Sequence, residues 1–306
     1  MNADGSSVTS LKDSVAAVHV RASLMPSLGW SADGHRLAFT RADGGLYATT
    51  GPGAGVTRLA PVGMSPIWSE DGGKVAFLAA DPGTQGCCWN LFVAQGDGSA
   101  VVQVTEGMSL SHYDFAANGS LLTYVVEENA TSKSLDFIRP DGTDRREFVP
   151  PEVCCIGLPS LSPDGSQVAY YAYPDEQGDG GPGYEVYVAP TDGSGPAVDV
   201  SNNPGHDTWP VWSPDGTMIA FVSSAPDGTF GRGSIHVVRA DGSGQVAVTP
   251  ADGPTWEPAW SPDGSRIAYS GVVGQGAQIF VANADGSGRT DVTPQMDSSR
   301  PIWTGR

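Results

Sequence analysis

Trp212-Ser213-Pro214-Asp215-Gly216 and Trp260-Ser261-Pro262-Asp263-Gly264 are the same five residues in the same order, and each leads into a short apolar run, Met218 to Ser223 and Ile267 to Ser270. Looser copies stand at Trp30-Ser31-Ala32-Asp33-Gly34, Trp68-Ser69-Glu70-Asp71-Gly72, Phe115-Ala116-Ala117-Asn118-Gly119 and Leu161-Ser162-Pro163-Asp164-Gly165, with a truncated Trp303-Thr304-Gly305 near the end. The residue that opens each copy recurs after 38, 47, 46, 51, 48 and 43 residues. A period of that size marks a repeat architecture in which each unit is one supersecondary motif.

Each unit carries four short segments that alternate well enough to be strands. Between Pro210 and Thr249, the first ends at Trp212, the second is Met218 to Ser223, the third Ile235 to Val238 and the fourth Gln245 to Thr249. Asp-Gly pairs follow the first and third strands; the aspartate accepts turn amides and the glycine supplies positive φ, so both read as hairpin turns. Four strands in about 45 residues make a β-propeller blade, which buries its two faces only by stacking on neighbours. The expected fold is all-β, a six-bladed β-propeller of four-stranded antiparallel blades, with a seven-bladed ring containing an incomplete blade as the alternative. Residues 24–306 form a single propeller domain, and residues 1–23 an N-terminal extension in which Ala16 to Val20 offers a closing strand. Arg300 to Trp303 offers another.

The repeat resembles the TolB-like, PD40 or WD40-like propeller family, whose signature is Trp-Ser-Pro-Asp-Gly, then Ile-Ala-Phe, then Ile-Tyr-Val. The resemblance runs from about Leu28 to Trp303. It implies the fold and leaves function open, since that family includes periplasmic scaffolds, peptidase propellers and polysaccharide lyases.

Composition narrows the function classes. The net charge is −18 with 16% charged and 39% hydrophobic residues, the profile of a folded acidic protein. Phosphate binding needs clustered Lys and Arg, and no such run occurs, so nucleic acid is not an expected partner. No apolar stretch approaches the roughly 18 to 20 residues of a membrane span, so no membrane insertion is expected. Residues Met1 to Lys12 lack the pattern of a signal peptide. Serine-hydrolase chemistry is disfavoured because no G-x-S-x-G elbow occurs.

Alternating strand direction puts both sets of Asp-Gly turns on one face and all the irregular loops on the other. Function on a repeat scaffold sits where the repeat is broken, so the irregular face and its channel mouth are the place to look. Candidate ligand-binding residues just ahead of the first strands are His112, Tyr113, His206, Asp207, Trp209, Trp256, Glu257 and Arg300. Aromatic faces there suit a sugar or a side chain, Arg300 a carboxylate, and Glu257 hydrogen bonding or base chemistry. No residue is assigned as catalytic or as a metal ligand, because the histidines and acids lack tight metal spacing, and no cofactor is expected.

Cys87, Cys88, Cys154 and Cys155 form two adjacent pairs in loops of the irregular face. Disulfides linking the pairs are expected, with vicinal disulfides or free thiols as the other arrangements, and an oxidising, extracytoplasmic setting fits them. The leading reading is a monomeric, non-catalytic propeller that presents its loop-rich face to a protein, peptide or glycan. The alternative is a propeller-mouth lyase or hydrolase acting on a glycan, with or without the assistance of a metal.

Overall fold

The computed structural model describes residues 28–31, 35–49, 55–80, 89–108, 110–127, 133–148, 154–174, 183–203, 205–224, 233–250, 253–274, 276–293, 301 and 303. No helix occurs among them, and none long and apolar enough to cross a membrane. Ala16 to Val20, Arg300, Cys87 and Cys88 lie outside the described residues.

Twenty-four strands form six four-stranded antiparallel sheets, the blades of a six-bladed propeller. Blade 1 is β1 (Leu28–Trp30), β2 (Leu37–Thr40), β3 (Leu46–Thr49) and β4 (Val56–Ala60); blade 2 is β5 (Gly63–Trp68), β6 (Lys74–Ala80), β7 (Trp89–Gln95) and β8 (Val102–Gln103). Blade 3 is β9 (Leu110–Phe115), β10 (Leu122–Glu127), β11 (Lys133–Ile138) and β12 (Arg146–Phe148); blade 4 is β13 (Cys154–Leu161), β14 (Gln167–Tyr173), β15 (Glu185–Pro190) and β16 (Val198–Asp199). Blade 5 is β17 (His206–Trp212), β18 (Met218–Ser224), β19 (Gly233–Arg239) and β20 (Val246–Ala247); blade 6 is β21 (Thr255–Trp260), β22 (Arg266–Val273), β23 (Gly276–Asn283) and β24 (Thr290–Asp291). Each sheet uses four consecutive strands in chain order. Two compact units hold the first three and the last three blades, apart from a few residues of blade 3.

The Ser-x-Asp-Gly repeat works as a side-chain clamp. Ser213 Oγ donates to Asp215 Oδ1 at 2.6 Å and accepts from Met218 N at 2.9 Å, while Asp215 accepts Thr217 N at 3.0 Å. Ser261 with Asp263, Ser162 with Asp164 and Ser69 with Asp71 repeat the arrangement. These hydrogen bonds favour the ionised carboxylate, and the one from Ser261 leads in holding Asp263 down to about 2.

Tryptophans lock blades 2, 5 and 6 to the blade before each of them. Trp68 Nε1 donates to Gly29 O at 2.9 Å, Trp212 Nε1 to Ser160 O, Trp260 Nε1 to Val211 O and Trp303 Nε1 to Ala259 O, these last three at 3.0 Å. In every case the acceptor is the residue just ahead of the preceding blade's own Trp or Leu. Trp303 is outside any strand, yet it packs on Ala268, Val281 and Val292 as a further blade's tryptophan would.

A proline in the first strand of blades 2, 4, 5 and 6 sets a second repeated feature. Proline has no N–H for the ladder and in a sheet it sits at bulges. The registers of blades 2, 4, 5 and 6 shift at Ser65-Pro66, Leu158-Pro159, Trp209-Pro210 and Glu257-Pro258. The residue ahead of each proline has positive φ, 55°, 43°, 59° and 57° in turn. Blade 3 has Tyr113 in place of the proline, and His112 is not among the positive-φ residues. Ser65 is 6% exposed and its hydroxyl has no hydrogen-bond partner among the described residues. Ser65→Gly is therefore expected to stabilise the protein by about 1 kcal/mol, relief of left-handed strain and of an orphan hydroxyl outweighing the entropy of a new glycine. A thermal melt checks the sign.

Candidate functional site

The irregular face is formed where first and third strands begin and second strands end. In the unit of blades 4 to 6, His206 opens β17 and Asp207 follows it, paired in register with Ser224 and Ser223. His206 Nδ1 accepts a hydrogen bond from Tyr184 N at 3.2 Å, and its ring lies 5.6 Å from the Tyr184 ring. Tyr184 meets Tyr171 edge-on at 5.2 Å and Tyr173 at 5.6 Å, with interplanar angles of 83° and 80°. All four rings are half-buried. Perpendicular rings at this separation are favourable aromatic pairs and leave ring faces and hydroxyl edges open. Tyr171 lies directly over Gly157, where an added Cβ would collide with its phenol ring, so the glycine makes room for the ring.

Beneath this corner is a buried acidic group. Asp207 is 0% exposed, and its Oδ2 accepts Asn203 Nδ2 at 2.8 Å. Glu185, on β15, is 2% exposed and accepts Ser201 Oγ at 2.6 Å. Burial raises the pKa of both carboxyls, and the nearby acids Asp207 and Asp199 push Glu185 further in the same direction.

The other sequence-predicted residues have different surroundings. Trp209 packs against the cluster that includes Trp260, Ile267 and Tyr269, so this ring contributes to the joint between blades 5 and 6. Trp256 pairs in register with Ser270, whose hydroxyl donates to Glu257 Oε2 at 3.3 Å. Both Trp256 and Glu257 are half-buried. In the other unit, His112 is half-buried on β9, and Tyr113 reaches out of its blade to donate to Ser65 O. Burial, with the neighbouring Asp114 charge, raises the Tyr113 pKa, and the bond to Ser65 gives the ring a blade-joining role. Cys155 is a free thiol on β13, and its neighbour Tyr171 senses it. No group of three or more His, Cys, Asp or Glu among the described residues is arranged to hold a metal ion.

Sequence reasoning missed Glu185 and the three tyrosines. The available signal was a repeat position. Thr105, Ser201, Thr249 and Thr293 each follow a valine, and their hydroxyls accept the backbone N–H of Leu91, Val186, Ile235 and Ile279. The residue ahead of each of those amides is buried and polar: Asn90, Glu185, Ser234 and Gln278. Glu185 is the one acid in that series.

Fold and repeat together define a six-bladed β-propeller built from Trp-Ser-Pro-Asp-Gly units. The TolB β-propeller domain (PD40) matches residues 122–306, and the chain belongs to that family. No curated protein gives a match. Among solved structures, TolB from Acinetobacter baumannii is similar at 16% identity and a TM-score of 0.60, over 88% of this chain and 66% of that one. An oligogalacturonate lyase in complex with manganese is 19% identical over 73% of this chain and 63% of that one, with a TM-score of 0.57. A puromycin-hydrolysing peptidase of Mycobacterium tuberculosis is 19% identical, TM-score 0.64, over 88% of this chain and 46% of that one. This chain thus spans about two thirds of the TolB protein and under half of the peptidase. At these identities the likeness is one of fold.

Proposed function

We propose that this chain is a non-catalytic binding module that presents the irregular face to a protein, peptide or glycan. The observation that carries the reading is the half-buried corner of Tyr171, Tyr173, Tyr184 and His206, where ring faces and polar edges converge beside the strand starts of blades 4 and 5. Tyrosine-rich surface of this kind gives large contact area at low entropy cost and suits both sugar rings and peptide side chains. A catalytic reading would need an acid and a base open to a substrate, and the carboxyls with raised pKa, Glu185 and Asp207, are buried. Burial favours binding over chemistry at this place.

The test is a screen of peptide and glycan arrays with the purified chain, followed by titration of the strongest hit against Tyr173→Ala and Tyr184→Ala. Each is expected to weaken binding at least tenfold while the fold is retained. Unchanged affinity in both variants would remove the corner from the site.

The adjacent cysteines support action in an oxidising compartment outside the cytoplasm. With Cys155 free, a link from Cys154 to Cys87 or Cys88 would leave two titratable thiols in the unreduced, denatured protein. Four reactive thiols would exclude the link.

A further inference from the structure

Asp207 Oδ1 is fully buried and has no hydrogen-bond donor among the described residues. Its other oxygen and its backbone N–H are both engaged, the latter donating to Tyr184 O at 2.6 Å. The Glu185 and Asp207 carboxyls lie within reach of a hydrogen bond to each other, and the Ser223 and Ser201 hydroxyls reach Asp207 as well. An ionised carboxylate only accepts hydrogen bonds, so two ionised carboxylates cannot make such a bond. The other groups acting on the two side chains are Asp199 at the end of β16, Ser201 in the connection and Ser223 on β18; Asn203 bonds Asp207 directly. These are acidic or neutral. His206 precedes Asp207 on β17, so its side chain is on the opposite face of the strand.

We propose that Glu185 and Asp207 hold a single proton between them, on a Glu185 oxygen and donated to Asp207 Oδ1, and that its release is a pH switch acting on the corner of Tyr184 and His206. Loss of the proton to solvent turns one hydrogen bond into two buried like charges in contact, with Asp199 close by. Like charges in a desolvated site repel strongly. The strain falls on the start of β17, where Asp207 N is tied to Tyr184 O and Tyr184 N is tied to His206 Nδ1, so the rings of the corner move with it. The regulatory part rests on the reading of that corner as the binding site; the proton-sharing part does not.

The direction of the pH effect follows from linkage. A carboxyl whose folded pKa is raised contributes stability that is complete below its ordinary value and is lost as pH rises through the folded value. Both carboxyls are raised, so the wild-type loses stability between mildly acidic and mildly alkaline pH. Glu185→Gln keeps a donor toward Asp207 and removes the titrating proton. Its melting temperature is expected to exceed that of the wild-type by roughly 5 °C or more at about pH 9 and to match it within a few degrees at about pH 5. Difference infrared spectroscopy of the ligand-free protein near pH 7 should show a protonated carboxylic acid in the wild-type and lose it in Glu185→Gln. If that variant fails to fold, Asp207→Asn serves in the same infrared comparison.

Absence of the acid band in the wild-type overturns the shared proton, as does an equal alkaline loss of stability in wild-type and variant. Stabilisation of the wild-type by millimolar calcium at about pH 9 overturns it too, by showing that a cation bridges the oxygens. The link to the corner is read from the His206 ring resonances in ligand-free protein across the same pH range. They are expected to shift with the loss of the acid band in the wild-type and to lack that shift in Glu185→Gln. A band that titrates without that extra His206 shift overturns the switch and leaves the array-based test of the site unaffected.

Discussion

Replacing Trp212 by alanine is expected to cost about 3–5 kcal/mol, the range for truncating a large buried aromatic. Trp212 is 5% exposed and is surrounded by Val186, Val188, Ile219 and Phe221 from blades 4 and 5. Its loss leaves a cavity in the joint and also strands the Ser160 carbonyl that its indole N–H bonds. Trp212→Phe keeps most of the ring and gives up the hydrogen bond, for about 1 kcal/mol. Urea unfolding of both variants separates the two contributions. A loss below about 1 kcal/mol for the alanine variant would mean that the indole is not the wedge between these blades.

Arg145→Ala is expected to cost about 3–5 kcal/mol through blade 3, although Arg145 itself is well exposed. In the other five blades the aromatic of the second strand packs against a ring of the third, stacked for Phe39 on Tyr47, Phe77 on Phe92, Tyr170 on Tyr187 and Tyr269 on Phe280, and tilted for Phe221 on His236. Blade 3 puts Asp136 in that place beside Tyr124. The Asp136 side chain is 0% exposed, and Arg145 reaches its Oδ2 at 2.7 Å. Removing the guanidinium leaves a buried carboxylate without its counter-ion. The double variant Asp136→Phe with Arg145→Ala installs the ring of the other blades and is expected to recover most of the loss, since apolar replacement of a buried ion pair is often neutral or better. Failure of the double variant to recover would place the cost in Arg145 packing.

The blade pattern was legible because its determinants are local. Ser213 and Asp215 clamp a turn two residues away, and any copy of that spacing announces the next hairpin. The tryptophan wedges were legible for the same reason. The candidate site was legible only in part. His206 and Asp207 stand out as polar breaks at the start of a strand, but their partners, Tyr184 and Glu185, come from the entry to the preceding blade's third strand. Nothing in the spacing of residues 184 and 206 reports that contact, which depends on how two blades pack. The surroundings of Trp209 were hidden for a complementary reason. The bulge at Pro210 sets its backbone at positive φ, and its ring packs against the interior of the blade 5–6 joint, which a strand-alternation reading does not capture.

Because every sheet is built from four consecutive strands, the molecule has a direction of assembly. A ribosome releasing about 5–20 residues per second delivers one repeat in a few seconds, whereas a hairpin closes in microseconds. Each sheet is therefore complete in its ladder before the next emerges. The indole bonds point backward along the chain, from Trp212 to Ser160 and from Trp260 to Val211, so a newly made repeat secures the one already made. Nascent chains arrested just before and just after Trp260 should differ in protease sensitivity at blade 5 and hardly at all at blade 4, the last-made repeat remaining unlatched until its successor's indole arrives.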